Sequence, residues 1–146
     1  MKQNIPDLPD LSVWISLSSP AHIHYARACH YWEEEASETL AFCRITFLGL
    51  LRSLTNPHIF GKQTLDGQSA WRAVKTWLSH PRVRFFDEPL GIEDWLERWS
   101  REVDLSGGDW TDAYLAAFAA AGGYRLVAFD KDFFQFKGSK LLHLKS

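Results

Sequence analysis

Short apolar runs alternate along this chain with stretches whose apolar residues recur at the spacing of a helix face. The runs of strand length are a short segment ending at Asp10, residues 39–43, 83–86 and 124–129, and a candidate at 141–144. Helical spacing begins near residue 13 and recurs around residues 25–32, 47–54, 70–78, 92–99 and 113–121. This alternation predicts an α/β fold with a short, mostly parallel central sheet flanked by helices. We expect one domain spanning residues 1–146.

The stretch 109–133 is predicted to form a helix, a tight turn and a strand. Asp109 is expected to be the N-cap of the helix, with Asp112 completing a capping-box-like pair, and Gly123 lies in the glycine pair that ends it. A helix that runs antiparallel to its following strand starts beside the end of that strand. Asp112 and Asp130 are therefore expected to be neighbours at the carboxyl edge of the sheet, where open α/β folds place their sites.

Acidic residues follow three of the predicted strands: Asp10 after the first, Asp87 and Glu88 after the third, and Asp130 after the fourth. Asp112 joins them from a helix start. Taken singly, Asp112 is more simply explained as a residue that caps a helix, and Asp130 as one that opens a turn. Taken together, a carboxylate-rich cluster suits Mg²⁺ or Mn²⁺, and a metal held by carboxylates can hydrolyse a phosphodiester. No Cys/His spacing indicates zinc, and no glycine-rich phosphate loop is present.

Composition limits the classes of partner. A formal net charge of -2 excludes a globally basic nucleic-acid binder, so any such contact must come from a local patch. Cys29 and Cys43 both lie in apolar surroundings and are expected to be free thiols, which together with the lack of a signal peptide predicts a cytoplasmic protein. No apolar run approaches the ~20 residues that cross a bilayer, so no membrane association is expected.

Four blocks of sequence resemble a known family. They are D-L-S-V-W from Asp10, R-I-T-F-L-G-L-L-R-S-L-T-N-P at 44–57, W-T-D-A-Y-L-A-A-F-A at 110–119 and A-F-D-K-D-F at 128–133. Together they resemble a PIN-domain ribonuclease and, more narrowly, the VapC toxins of bacterial toxin–antitoxin pairs. The third and fourth blocks are fairly specific in combination, whereas D-x-S alone is weak. The resemblance spans nearly the whole chain and implies a PIN-like three-layer sandwich.

The resemblance also implies a site, an activity and partners. Asp10, Asp112 and Asp130 match the metal-binding acids of the family, and Ser12 matches a small polar residue that helps to position the site. Family membership implies Mg²⁺-dependent (or Mn²⁺-dependent) hydrolysis of RNA and inhibition by a cognate antitoxin protein.

The sequence departs from the family at Gly49, where many relatives carry a glutamate. Asp132 or Glu88 could replace that ligand, the metal could bind less tightly, or catalysis could have been lost. A glycine inside a helix is also consistent with open space on that face, left for a phosphate or a water. Arg52, one turn along the same helix, could bind such a phosphate, although a single surface arginine more often has no specific ligand.

Three functions remain open at this point. The leading hypothesis is a ribonuclease toxin, and the second is a catalytically weak or inactive PIN-like binding module. The third is a phosphatase with Asp10 as its nucleophile, which Ser12 disfavours because such enzymes carry a second aspartate there. Seven Trp in the sequence suggest a homodimer and an apolar groove around Trp14, Trp32 or Trp95 that grips the antitoxin.

Overall fold

The computed structural model describes residues 4–145, and a parallel sheet lies at its centre. The strands are β1 (Asp7–Pro9), β2 (Leu40–Phe42), β3 (Val83–Phe85), β4 (Arg125–Ala128) and β5 (Lys140–His143). Their order is β3-β2-β1-β4-β5, and every neighbouring pair is parallel. The predicted α/β fold with a short parallel sheet is confirmed, and the strand positions match the apolar runs of the sequence.

Helices cover the sheet on both faces. They are α1 (Leu11–Ser18), α2 (Tyr25–His30), α3 (Arg44–Leu54), α4 (Pro57–Phe60), α5 (Gly67–Ser79), α6 (Ile92–Glu102) and α7 (Asp109–Gly122). A π-helical turn, Tyr31–Glu35, extends α2, and 3₁₀ turns lie at Gly61–Gln63 and Lys131–Gln135. Leu126 packs with α6 and α7, whereas Val127 packs with α1, α3 and α5. Successive strand residues point to opposite faces, so the sheet is the middle layer of three.

A buried ion pair joins the amino ends of β1 and β4. Asp7 is fully buried, and its two carboxylate oxygens accept from Arg125 Nε at 2.8 Å and Nη2 at 3.0 Å. The same carboxylate accepts from the Tyr31 hydroxyl at 2.6 Å and from the Ser37 backbone N–H at 3.0 Å. Burial and the Asp7 charge raise the pKa of Tyr31 well above its usual range. This network lies at the end of the sheet opposite Asp10 and ties the chain after α2 to the central strands.

The ends of α7 differ in part from the prediction. Gly123 ends the helix with a left-handed φ of 73°, as predicted. Asp109 is not the N-cap, because Gly108 occupies that position and Asp109 is the first helical residue. Its Oδ2 instead accepts from the backbone N–H of Ser106 at 3.1 Å, which holds the turn before the helix. The capping-box prediction for Asp112 is therefore wrong.

Two further expectations are corrected. The segment after α3, predicted as loop, contains α4, because Pro57 begins a new helix and Asn56 caps it by accepting from His58 N–H. Trp14 cannot line a surface groove, since it is fully buried and stacks on Phe42 with ring centroids 3.9 Å apart. An apolar groove does lie nearby, but Trp77 lines it. Among residues 4–145, no helix has the length and apolar character needed to cross a membrane.

Candidate metal and catalytic site

Asp10 lies at the carboxyl edge of the sheet, where β1 passes into α1. The register pairs Pro9 with Val127 of β4, and the Asp10 backbone N–H donates to the Val127 carbonyl at 2.7 Å. The Ser12 hydroxyl donates to Asp10 Oδ2 at 2.9 Å. Burial raises the pKa of Asp10 and the nearby charge of Asp130 adds to this, while the Ser12 hydrogen bond acts in the opposite direction. Ser12 therefore holds the carboxylate in one orientation.

Asp130 reaches the same edge from the next strand. Asp130 lies two residues after the end of β4. Because Pro9 of β1 pairs with Val127 of β4, Ala128 lies level with Asp10. Its Oδ1 accepts from the Asp132 backbone N–H at 2.8 Å, so Asp130 caps the 3₁₀ turn that follows. The turn redirects the chain and leaves the second carboxylate oxygen of Asp130 without a partner among the described residues.

Asp112 completes this set of acids from the first turn of α7. Burial, followed by the negative charges of Asp10, Asp130, Asp109 and Asp132 in that order, raises its pKa to about 6. Such effects require that these carboxylates lie near one another. The influence of Asp109 was missed from the sequence, although its spacing of three residues before Asp112 on a helix gives both side chains a similar direction.

The donor chemistry of this acidic edge fits a divalent cation. In residues 4–145, no three Asp, Glu, His or Cys side chains are drawn together tightly enough to enclose an ion. Mg²⁺ does not require such a cage, because it is commonly held by one or two carboxylates and keeps several waters. The raised pKa of Asp112 shows that negative charge is unfavourable here, and a bound cation would relieve that repulsion.

We expect Asp112→Asn to stabilise the metal-free protein at neutral pH. The pKa of Asp112 is raised from 3.8 to about 6 on folding, so the folded state binds more protons in that window. The free energy of unfolding of the parent therefore falls as pH rises from 3.8 to about 6. Above about pH 6 this loss of stability is complete. After allowance for solvent screening, Asn should raise the free energy of unfolding at pH 7 by about 1–2 kcal/mol.

Urea unfolding in EDTA at pH 7 and at about pH 4 measures this effect, because Asp112 is largely protonated at the lower pH. An equal gain at both pH values would show that relief of charge repulsion is not its cause. Added Mn²⁺ should stabilise the parent more than the Asn variant.

Glu88, another predicted auxiliary residue, lies apart from the acidic edge. Glu88 Oε2 accepts from the Tyr114 hydroxyl at 2.6 Å. Both residues line a cavity of about 120 Å³ with Arg44, whose guanidinium lies 4.4 Å from the ring centroid of Phe85. Glu88 is not among the charges that raise the pKa of Asp112. Arg52 lines a different and larger cavity.

Gly49 faces Leu11, the residue after Asp10. A Cβ built on Gly49 would lie 2.8 Å from Leu11 Cδ2 and 3.3 Å from Cδ1. A side chain at position 49 would therefore press against Leu11, although Gly49 also borders a cavity, so the predicted open space lies beside Leu11. Gly49 and Arg52, which lie one turn apart on the helix, line the same cavity.

Substitutions at Gly49 should separate helix propensity from metal binding. Ala should gain up to ~1 kcal/mol of helix propensity, reduced by the cost of turning Leu11 aside. The Leu11 contact atoms are at the end of a flexible side chain bordering a cavity, so that cost is modest. Gly49→Glu should add a ligand and enlarge the thermal shift that Mg²⁺ or Mn²⁺ produces, whereas Gly49→Ala should not. Equal metal-induced shifts in parent, Ala and Glu proteins would place position 49 outside the site.

Comparison with known proteins identifies the family. A PIN domain model matches residues 8–138. Ribonuclease VapC41 of Mycobacterium tuberculosis is 35% identical over 140 residues, covering 92% of this chain and 95% of that protein. Ribonuclease VapC38 of the same species is 29% identical over 131 residues, covering 87% of this chain and 86% of its own.

Solved structures support the same fold. The VapBC2 structure from Rickettsia felis, determined with a DNA fragment of its promoter, superposes with a TM-score of 0.69 at 13% identity, covering 97% of this chain and 100% of that chain. VapC20 of Mycobacterium tuberculosis, a sarcin-ricin loop cleaving toxin, gives a TM-score of 0.66 at 19% identity. The superposition covers 92% of this chain and 97% of that chain. From the family match, the sequence identity and the shared architecture, this chain belongs to the PIN domain family and, within it, to the VapC ribonucleases.

Proposed function

We propose that this chain is a divalent-metal-dependent endoribonuclease that hydrolyses RNA phosphodiesters as the toxin of a type II toxin–antitoxin pair. The observation that carries the proposal is the set of aspartates at one edge of the sheet, whose charges help to raise the pKa of Asp112 to about 6. The relatives named ribonuclease VapC, aligned over nearly their full length, support the same activity. Residues 1–146 are proposed to form one PIN-like domain.

Asp10, Asp112 and Asp130 are the proposed metal ligands, with Mg²⁺ or Mn²⁺ as the ion. A divalent ion held there supplies a Lewis acid for the phosphodiester and a water of lowered pKa as nucleophile. Ser12 orients Asp10 through its 2.9 Å hydrogen bond. Asp132 increases the negative charge around Asp112 and is the better placed of the two suggested substitutes for the missing glutamate.

The proposed partners are an RNA substrate, a cognate antitoxin and a second copy of the chain. Structures of VapBC toxin–antitoxin complexes are among the relatives in fold, and they motivate the antitoxin. The homodimer rests on the exposed large apolar side chains, among them Trp71 at 50% and Trp110 at 44% exposure. A cytoplasmic location is proposed from Cys29 and Cys43, which are both unpaired.

A catalytically weak or inactive binding module is the second candidate. It is favoured by Gly49 in place of the usual glutamate and by the lack, in the described part of the chain, of a ready three-ligand metal cage. The two candidates share the fold and the partners, and they differ in whether the bound RNA is cleaved.

The test is cleavage of a labelled RNA mixture by the purified chain in Mg²⁺, in Mn²⁺ and in EDTA. A ribonuclease should produce discrete fragments with either metal and none in EDTA. RNA that is bound but left intact with both metals would establish the binding module instead.

A further inference from the structure

A cavity of about 470 Å³ lies between α1, α3 and α4, immediately beside the acidic edge. Leu11 forms the wall nearest the site and is the residue that follows Asp10. Pro57 and Ile59 supply apolar surface on the α4 side, and Ile59 is 50% exposed. The volume falls within the range of ~300–1,000 Å³ typical of sites for small ligands.

The polar groups of this cavity have hydrogen-bonding capacity that the described residues do not use. Ser53 lines the cavity and is only 4% exposed. Asn56 Oδ1 accepts from His58 N–H at 2.9 Å, which leaves its Nδ2 donors free within the described chain. Arg52 is exposed, lines the cavity and forms no ion pair with a described carboxylate. The Nδ2 donors of Asn56 and the Arg52 guanidinium are therefore available to a ligand in this cavity.

We propose that this cavity binds one nucleotide of the RNA substrate, next to the phosphodiester that is cut. Arg52 contacts the phosphate of that nucleotide, because a guanidinium matches phosphate geometry and this one has no competing carboxylate. Asn56 Nδ2 donates to an acceptor on the edge of the base, and the Ser53 hydroxyl bonds the same nucleotide. Leu11 and Ile59 pack against the apolar faces of the base. The inference rests on the proposed ribonuclease function.

Two features favour RNA over a peptide as the occupant. Leu11, the residue after Asp10, lines the cavity, so a nucleotide held in it keeps its chain within reach of the acidic edge. Its polar lining also supplies a cation and hydrogen-bond donors on a chain of net charge -2, where the acidic edge itself repels RNA. An RNA strand held in this cavity is therefore attracted by a local positive charge, although the net charge of the protein is negative.

The first experiment measures RNA binding without chemistry. Asp130→Asn protein in EDTA is titrated into a fluorescent single-stranded RNA, with and without Arg52→Gln. We expect Arg52→Gln to weaken binding by about 10-fold, the scale of one charge-assisted hydrogen bond. Arg101→Gln is the matched control, because it removes the same charge from α6 on the opposite face of the sheet, where Arg101 is 67% exposed. Equal affinities for the two variants would overturn the proposal.

The second experiment reads the base preference. Asn56→Asp keeps the acceptor that caps α4 but removes the Nδ2 donors, so the fold is preserved while the contact to the base is lost. In the otherwise unaltered chain with metal, sequencing of cleavage ends should show a changed preference at one fixed position relative to the cut. An unchanged preference at every position would show that Asn56 does not read the base.

These outcomes separate the cavity from the proposed activity. RNA binding that depends on Arg52, with no cleavage by the parent, would refute the ribonuclease and leave the nucleotide site standing. Cleavage by the parent, with Arg52→Gln binding RNA as well as Arg101→Gln does, would refute only the nucleotide site. If Arg52→Gln instead weakens binding of the antitoxin alone, the cavity holds a peptide and the proposal is wrong.

Discussion

Asp130→Asn is expected to reduce metal-dependent RNA cleavage by at least about 100-fold while the fold is kept. Losing a residue that merely orients a metal ligand already costs about 10–100-fold, and Asp130 is proposed to bind the ion directly. Asn has the same shape, and its Oδ1 can still accept from the Asp132 N–H, the 2.8 Å bond that forms the turn after β4. Neutralising one carboxylate should leave apo stability unchanged or higher, because it lessens the repulsion on Asp112.

The measurement is the initial rate of cleavage of one labelled RNA in saturating Mg²⁺ and Mn²⁺, alongside a thermal melt of each protein. Asp94→Asn is the control, since Asp94 is an exposed acid in the first turn of α6 with no part in the proposed site. A rate for Asp130→Asn equal to that of the parent would refute the assigned ligand set. It would also identify any nuclease activity in the preparation as a contaminant or as chemistry from another site.

Asp7→Ala is expected to be the most destabilising of the substitutions considered, by about 3–5 kcal/mol. Removal of the fully buried Asp7 carboxylate leaves the Arg125 guanidinium, whose side chain is only 16% exposed, without its charge partner. The Tyr31 hydroxyl and the Ser37 backbone N–H lose their acceptor at the same time. Most of the cost is the uncompensated charge of Arg125 in a poorly hydrated position.

Urea unfolding followed by tryptophan fluorescence measures this change, with Asp7→Asn as an intermediate case that keeps one acceptor oxygen. The control is Glu97→Ala, which breaks an exposed helix pair with Arg101 and should cost at most ~1 kcal/mol. A cost for Asp7→Ala as small as that of Glu97→Ala would mean that Arg125 finds another acceptor. Its Nη2 already donates to the Glu35 carbonyl at 2.9 Å, which is the nearest candidate.

Local sequence signals were sufficient for the five strands, for most of the helices and for their arrangement in layers. The periods of apolar residues that identify β2 and α3 depend on neighbours within a few residues, so no tertiary information was needed. The same holds for Gly123, where a left-handed residue ends α7. The boundary at Pro57 was misread because proline suits the end of one helix and the first turn of the next equally well.

The acids at strand ends were also accessible from the sequence, because parallel strands deliver their carboxyl ends to one edge. That rule predicts Asp10 and Asp130 as neighbours of Asp112, and the pKa of Asp112 responds to both charges. Their role as metal ligands stays a prediction. The rule also admitted Glu88 as a substitute ligand, and only the structure shows that its carboxylate accepts from Tyr114 in another cavity.

The sequence by itself determined the alternation of strands and helices, the parallel sheet and the positions of the acids that reach its edge. The tertiary structure alone decided that Leu11 packs against Gly49, that Arg52 lines a cavity of about 470 Å³ and that Asp7 pairs with Arg125. Each of these contacts joins segments far apart in the chain. Their geometry depends on how helices rotate and cross as they pack, and no short-range period of the sequence encodes that rotation.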